Sequence, residues 1–220
     1  MSEDWVDQTL RFPNRISRIV LLAVEDVLGA NSGRAVLTMA RLSHLIDAYP
    51  TPDFGPGLAF TEIGRLFDAV EGLHGVKVGR QLMRQAGRES FGYWIEGFGG
   101  VVGFADVALR LLPLSLRVRI GMEVLAEIFN RYSDQRVILD EEHDTFFFIL
   151  ERCGFCTGRQ AETPACAFVL GVLEATLFWI SRGRRYAVEE TACIASGSPA
   201  CKLCVSRIPL ERRALDMKYA

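Results

Sequence analysis

The sequence predicts an α+β fold in which a helical first half packs on a small antiparallel sheet and one long apolar helix. Three observations lead there. Apolar residues recur at helical spacing up to about residue 135; short runs of β-branched and aromatic residues take over from Arg136; and an apolar run opened by Pro164 and closed by Gly183 separates two hairpin-like segments. At 220 residues, half of them apolar, the chain can bury one substantial core. The expected organisation is a tail over 1–12, a helical half over 13–135, an α+β half over 136–210 and a tail over 211–220, with the two halves forming one integrated domain.

The elements follow in order. Asn14 can cap a helix with Ile16, Ile19, Val20, Ala23, Val24 and Val27 on one face, and Gly29 ends it. A second helix is expected from Ser32 to Ala48 on the stripe Ala35, Val36, Met39, Leu42, Leu45 and Ile46. Tyr49 to Gly57 holds three prolines and two glycines and reads as an irregular, mobile connection. Thr61 then opens a helix bearing Ile63, Leu66, Phe67 and Val70, and Gly75 divides it from a longer one that runs from Val76 towards Glu96. Beyond a glycine-rich turn, Phe104 to Leu112 and Leu114 to Tyr132 are helical, with Pro113 between them. Val137 to Leu139 and Thr145 to Leu150 flank the acidic turn DEEHD as a hairpin. Ala165 to Ser181 is the long apolar helix, and Tyr186 to Glu190 and Leu203 to Ile208 are two further strands joined by Ala195 to Ala200.

All six cysteines lie between residues 153 and 204: Cys153-x-x-Cys156, Cys166, Glu190-x-x-Cys193 and Cys201-x-x-Cys204. Two C-x-x-C pairs and a carboxylate three residues before a further Cys are what a thiolate metal site looks like in one dimension. Redox use and inert packed thiols are the alternatives, since free Cys is among the most buried residue types. A disulfide framework would call for an oxidising compartment. The acidic start MSEDWVDQTL does not resemble a secretory leader, so a reducing cytoplasm is the expected location. No apolar run approaches the roughly 20 residues of a membrane span. With 25 basic against 27 acidic residues, nothing suggests nonspecific nucleic-acid binding.

Conventional catalytic machinery is absent from the pattern. His44, His74 and His143 are scattered and sit in no motif with a nucleophile, and Gly75-x-x-x-Gly79-Arg80 lacks the Lys-Ser/Thr of a phosphate loop. Glu174 interrupts the most apolar helix; it reads as a solvated helix edge, or, if buried, as a paired carboxylate. Phe168, Phe178 and Trp179 on that helix are pocket candidates, whereas Phe91, Trp94, Phe98, Phe104 and Phe129 read as core.

The tail Val188-Glu-Glu-Thr-Ala-Cys-Ile-Ala-Ser-Gly-Ser-Pro-Ala-Cys-Lys-Leu-Cys-Val, with its E-x-x-C-x7-C pattern at Glu190, Cys193 and Cys201, resembles the 4-vinyl reductase domain, which is also the aromatic-sensing module of phenol-responsive activators. Upstream, Gly75-Val-Lys-Val-Gly-Arg, Ala86-Gly-Arg-Glu and the stretch from Cys153 to Arg159 resemble hydrocarbon-binding proteins of that family. The resemblance implies a homodimeric fold related to transport-particle subunits and nitric-oxide sensors. It also implies a structural zinc held by Cys166, Glu190, Cys193 and Cys201. Cys153 and Cys156 are alternative ligands, for instance in an all-sulfur set with Cys193 and Cys201 that would equally suit an iron-sulfur cluster. Cys204 is the simplest packed thiol.

The function expected on these grounds is a cytoplasmic sensor or carrier that binds a small hydrophobic or aromatic molecule between helices and sheet, signalling through an unidentified partner protein. An iron-sulfur or tetrapyrrole-linked accessory protein of (bacterio)chlorophyll-type metabolism and a structural dimeric assembly subunit are the two alternatives.

Overall fold

The computed structural model describes residues 9–99 and 112–211. Arg11–Pro13 (β1) runs straight into the first helix, Asn14–Leu28 (α1), whose buried residues include Ile16, Ile19, Val20, Ala23 and Val24, the face that the spacing predicts. Gly29, at φ 76°, breaks the helix, and Ala30–Met39 (α2) follows at once. This second helix is shorter than expected. Arg41 takes φ 60° and Ser43–Leu45 forms a single 3-10 turn, from which Leu42 and Leu45 still reach the core.

The proline-rich stretch is pinned rather than loose. Its carbonyl groups accept hydrogen bonds from α1: Arg18 Nη1 donates to Pro50 O at 3.1 Å and Arg15 Nη2 to Pro52 O at 2.6 Å, while Asn14 Nδ2 donates to Asp53 Oδ1 at 2.9 Å. Its end forms a strand, Pro56–Ala59 (β2), paired antiparallel with β1 in a two-stranded sheet that the sequence did not suggest. Ser17 is fully buried and its Oγ accepts the Leu58 N–H at 2.9 Å. Replacing Ser17 with Ala strands that buried N–H and is expected to cost about 1–3 kcal/mol, read as a lowered midpoint in urea unfolding with an unchanged slope.

Phe60–His74 (α3) starts where Glu62 Oε2 accepts the Ala59 N–H at 2.8 Å, and Gly75, at φ 78°, separates it from Val76–Gly97 (α4). Leu114–Tyr132 (α5) follows Pro113 as expected. The helix expected from Phe104 to Leu112, except Leu112 itself, and most of the glycine-rich turn before it fall on 100–111, outside the described residues. Ala167–Ile180 (α6) is the long apolar helix.

Arg136–Glu142 (β3), Thr145–Arg152 (β4), Val188–Ala192 (β5) and Cys201–Ser206 (β6) form one antiparallel sheet in the order β3-β4-β6-β5. Pairing in the first hairpin runs out to Glu142 opposite Thr145, so the turn is only His143 and Asp144, with His143 at φ 47°. The acidic residues expected in a loop therefore extend a strand. Phe146, Phe148 and Leu150 of β4 alternate inward and face Val205, Leu203 and Cys201 of β6.

One hydrophobic core joins helices and sheet. At its centre Phe155 stacks on Phe168 at 5.3 Å and packs against Phe12 at 5.1 Å and Phe67 at 6.2 Å. Phe155 lies between Cys153 and Cys156, so burying it also buries the C-x-x-C. Among the described residues no helix is long and apolar enough to cross a membrane.

Candidate functional site

Five thiols converge behind the sheet. β4 ends at Arg152 and delivers Cys153 and Cys156 on the turn around Phe155; Cys166 stands at the N-cap of α6; Cys193 follows β5; and Cys201 opens β6. All five are fully buried. The Sγ of Cys153 lies 3.5 Å from that of Cys166, and the Sγ of Cys156 lies 3.2 Å from that of Cys201. Cys166, Cys193 and Cys201 form a near-equilateral triangle of sulfurs with sides of 3.8, 3.6 and 3.8 Å.

Glu190 joins them from β5. One of its oxygens, Oε2, accepts the Cys166 N–H at 2.8 Å, while Oε1 is buried without a hydrogen-bond partner among the described residues. Burial pushes the Glu190 carboxyl up. Around the thiols, hydrogen bonds from Cys153 and its neighbours hold Cys156 well below the usual thiol range, while the same neighbours push Cys166 and Cys201 up and burial raises Cys153. The Ile194 N–H adds a donor to Cys201 Sγ at 3.3 Å.

Every cysteine singled out as a candidate ligand thus reaches the same place, together with Glu190. The all-sulfur grouping is not the expected one, because Cys166 takes the place of Cys193: Cys153, Cys156, Cys166 and Cys201 form one quartet, and Cys166, Glu190, Cys193 and Cys201 form a second. Cys204 stands apart, half-buried, with Thr191 Oγ1 3.4 Å from its Sγ.

A second feature lies at the far end of α6. Phe91, Trp94, Ile95 and Phe98 of α4, Gly121, Val124, Leu125 and Ile128 of α5, and Val172, Thr176, Trp179 and Ile180 of α6 line an apolar cavity of about 50 Å³. The Thr176 hydroxyl is already spent on Val172 O at 2.8 Å, while Trp94 Nε1 is buried without an acceptor among the described residues. Phe91 and Trp179, 5.8 Å apart and only half-buried, form the outer wall. The cavity lies among three helices, not between helices and sheet. Of the pocket candidates on α6, Trp179 lines it and Phe168 is core, whereas Phe178 is exposed. Trp94 and Phe98, read as core, are both core and wall.

Two ion-pair networks brace the helices: Glu174 is the partly buried, paired carboxylate that is one of its two sequence readings, whereas the burial of Arg159 has no sequence signal. Glu174 pairs with Arg84, through Nε at 3.0 Å and also through Nη2, and with Arg88 Nη1 at 2.9 Å. Arg159 is buried between Asp68 and Glu71. Arginine is so seldom buried that its presence alone predicts a surface position.

The fold is a mixed α+β one similar to that of H-NOX domains. A structure described as an oxygen-binding H-NOX domain related to soluble guanylate cyclases, in its oxygen complex, matches with a TM-score of 0.55 at 17% identity, over 89% of this chain and 95% of that one. An Fe(II) unliganded H-NOX protein from K. algicida matches with a TM-score of 0.54 at 15% identity, over 88% and 95%. A third, from work on modulating heme redox potential through protein-induced porphyrin distortion, matches with a TM-score of 0.51 at 16% identity, over 88% and 97%. No family model matches the chain, and no curated protein does.

These matches correct two expectations. The neighbours in fold are H-NOX domains, so the resemblance to the 4-vinyl reductase and hydrocarbon-binding family is not upheld. Its E-x-x-C-x7-C pattern describes a local turn and not the topology of the whole chain. Zinc and an iron-sulfur cluster fall with it as named cofactors, since both were inferred from that resemblance or from cysteine count, and the chemistry named for the structural neighbours is that of heme and Fe(II).

Proposed function

We propose that this domain is a sensor-type module that binds a small, uncharged, apolar molecule in the cavity between α4, α5 and α6. The observation that carries the reading is the cavity itself: an apolar hollow between three helices, with the unpartnered donor Trp94 Nε1 and no charged group among its described lining residues. A ligand offering one acceptor atom to that indole N–H would gain orientation as well as burial.

Heme, the cofactor named for one of the similar structures, does not fit this cavity. A heme iron needs an axial ligand from a His, Cys, Met or Tyr side chain. None is among the described residues that line the cavity. Residues 100–111 contain none of these types either, and His44 and His143 are exposed while His74 ends α3. A cavity of about 50 Å³ is also far below the roughly 300–1,000 Å³ typical of cofactor pockets. The cofactor of the neighbours therefore finds no place in this cavity, and we read the fold here as a scaffold for a smaller ligand.

Size sets the ligand class. A dry apolar cavity of roughly 150 Å³ holds a benzene ring, so a single ring enters here only if Phe91 and Trp179 swing outward. Toluene and phenol added to the full chain are expected to change the fluorescence of Trp94 and Trp179 saturably. Phenol gains from the hydroxyl that can accept from Trp94. Leu125→Trp fills the cavity and is expected to abolish the response while the circular dichroism of the protein is retained. An unsaturable response in the wild type, or the same saturable response in Leu125→Trp, would remove the cavity as the binding site.

A further inference from the structure

We propose that Cys153, Cys156, Cys166, Glu190, Cys193 and Cys201 form a two-register site for one thiophilic metal ion. A soft ion is held by the four sulfurs of Cys153, Cys156, Cys166 and Cys201, and a harder ion by Cys166, Cys193, Cys201 and the free oxygen of Glu190.

The geometry supplies both registers at once. In each quartet the ligand atoms lie within 4.8 Å of one another, and Cys166 and Cys201 belong to both. Sharing two ligands makes the registers mutually exclusive, so the site takes one ion per chain. The sulfur triangle with sides of 3.8, 3.6 and 3.8 Å already matches the edge of about 3.8 Å for a tetrahedron with metal–sulfur bonds of roughly 2.3 Å. A carboxylate oxygen of Glu190 lies within 4.8 Å of all three sulfurs, and its Oε1 is buried without a hydrogen-bond partner among the described residues. Leaving a carboxylate oxygen orphaned in a dry interior is costly, and a cation is the simplest partner for it. Oε2 is fixed by the Cys166 N–H, so Glu190 is oriented before any ion arrives. Cys166 stands at the N-cap of α6, so an ion bound there is tied directly to that helix.

The remaining thiols are what make the site more than one tetrahedron. Cys153 and Cys156 approach Cys166 and Cys201 at 3.5 and 3.2 Å, from the opposite side to Glu190 in sequence and in the sheet: they follow β4, whereas Glu190 and Cys193 belong to β5 and its turn. Soft ions favour sulfur, and oxygen donors favour harder ones. The identity of the ion then decides which segment is tethered to α6, the turn carrying Phe155 or the β5–β6 hairpin. This site is independent of the cavity between α4, α5 and α6, although both use α6.

The test uses the reduced full chain freed of metal with a chelator. Cadmium(II) serves as the soft probe and cobalt(II) as the harder one, both followed by thiolate-to-metal charge-transfer absorption. Each is expected to saturate at one equivalent. Cys153→Ser is expected to weaken cadmium binding at least about tenfold and cobalt binding less than about twofold, and Glu190→Gln to do the reverse. Cys166→Ser weakens both, and Cys204→Ser, outside the cluster, weakens neither. Cadmium-113 resonance on the unaltered protein distinguishes four sulfurs from three sulfurs and an oxygen without any substitution. Absence of saturation at one equivalent overturns the site. A cadmium shift typical of three sulfurs and an oxygen, or equal effects of Cys153→Ser and Glu190→Gln on both metals, overturns the two registers.

Discussion

Gly171→Ala is expected to destabilise this protein strongly, although it adds a single methyl group to a helix. A β-carbon on Gly171 would stand 2.0 Å from Arg84 O and 2.8 Å from Arg88 N, and one on Gly87 would stand 2.0 Å from Phe168 O. The obstructing atoms are backbone of the opposite helix, so no side-chain rotation relieves them. Helices α4 and α6 cross here through two glycines, with Gly171 Cα 3.1 Å from where the Gly87 methyl would lie. Separating the helices far enough would open the packing of Met83, Ala86, Leu170 and Leu173 and would break the Glu174 pairs with Arg84 and Arg88. Overpacking that only backbone movement can relieve costs about 3 kcal/mol or more, which for a chain of this size lowers Tm by roughly 6–12 °C. Gly92→Ala is the matched control. Gly92 is in α4, the helix opposite Gly171, is exposed and has nothing within 4 Å of an added methyl, so the substitution is expected to stabilise by up to about 1 kcal/mol. Thermal unfolding of the two variants side by side checks the pair. A Gly171→Ala protein as stable as the wild type would mean that the two helices do not cross at this distance.

The helices were legible because their information is local. The stripe Ile16, Ile19, Val20, Ala23, Val24 identifies α1 by period alone, and Gly29, Gly75 and Pro113 mark boundaries that the backbone obeys. Ser32 to Ala48 was misread because Leu42, Leu45 and Ile46 continue the apolar period after the helix has ended, and period does not distinguish a helix from a buried 3-10 turn. The proline-rich stretch was misread for a related reason. Composition announces irregular backbone, but the arginines that pin it, Arg15 and Arg18, lie more than thirty residues earlier in sequence.

The thiol cluster and the cavity differ in the same way. Cysteine spacing showed which residues would meet, because each C-x-x-C is a local unit. Which four could share an ion depends on where α6 begins relative to β6, and that is set by tertiary packing: Cys166 and Cys201 come within 3.6 Å from positions 35 apart. The cavity is assembled from three helices, with Phe91 and Trp179 nearly ninety residues apart, and no spacing rule connects them. The short motif at Glu190, Cys193 and Cys201 suggested a family that the fold does not support. Such a pattern constrains the chemistry of one turn and leaves the topology free.

Arg159→Met is expected to produce the second large loss, for an electrostatic reason. The Arg159 side chain is 2% exposed; its Nε donates to Asp68 Oδ1 at 2.7 Å, Nη2 to Glu71 Oε1 at 2.6 Å and Nη1 to Ala165 O at 3.0 Å. It therefore fastens α3 to the loop that leads from Cys156 into Cys166. Met fills a similar volume, so the expected loss reflects charge and hydrogen bonding more than a cavity. Asp68 is half-exposed and can return to water, but Glu71, with its side chain 12% exposed, cannot. Arg80 remains beside Glu71 with its Nε at 3.3 Å and compensates part of the charge. Removing one partner of a buried pair costs about 3–5 kcal/mol, and the residual Arg80 contact places the expected loss at the lower end of that range. Glu71→Gln in the Arg159→Met background is expected to recover part of the loss, because it removes the stranded charge. A urea-unfolding cycle over the wild type, the two single variants and the double variant measures that coupling. Strictly additive effects would show that Glu71 is solvated and that Arg159 holds the loop through Ala165 O and Asp68 alone.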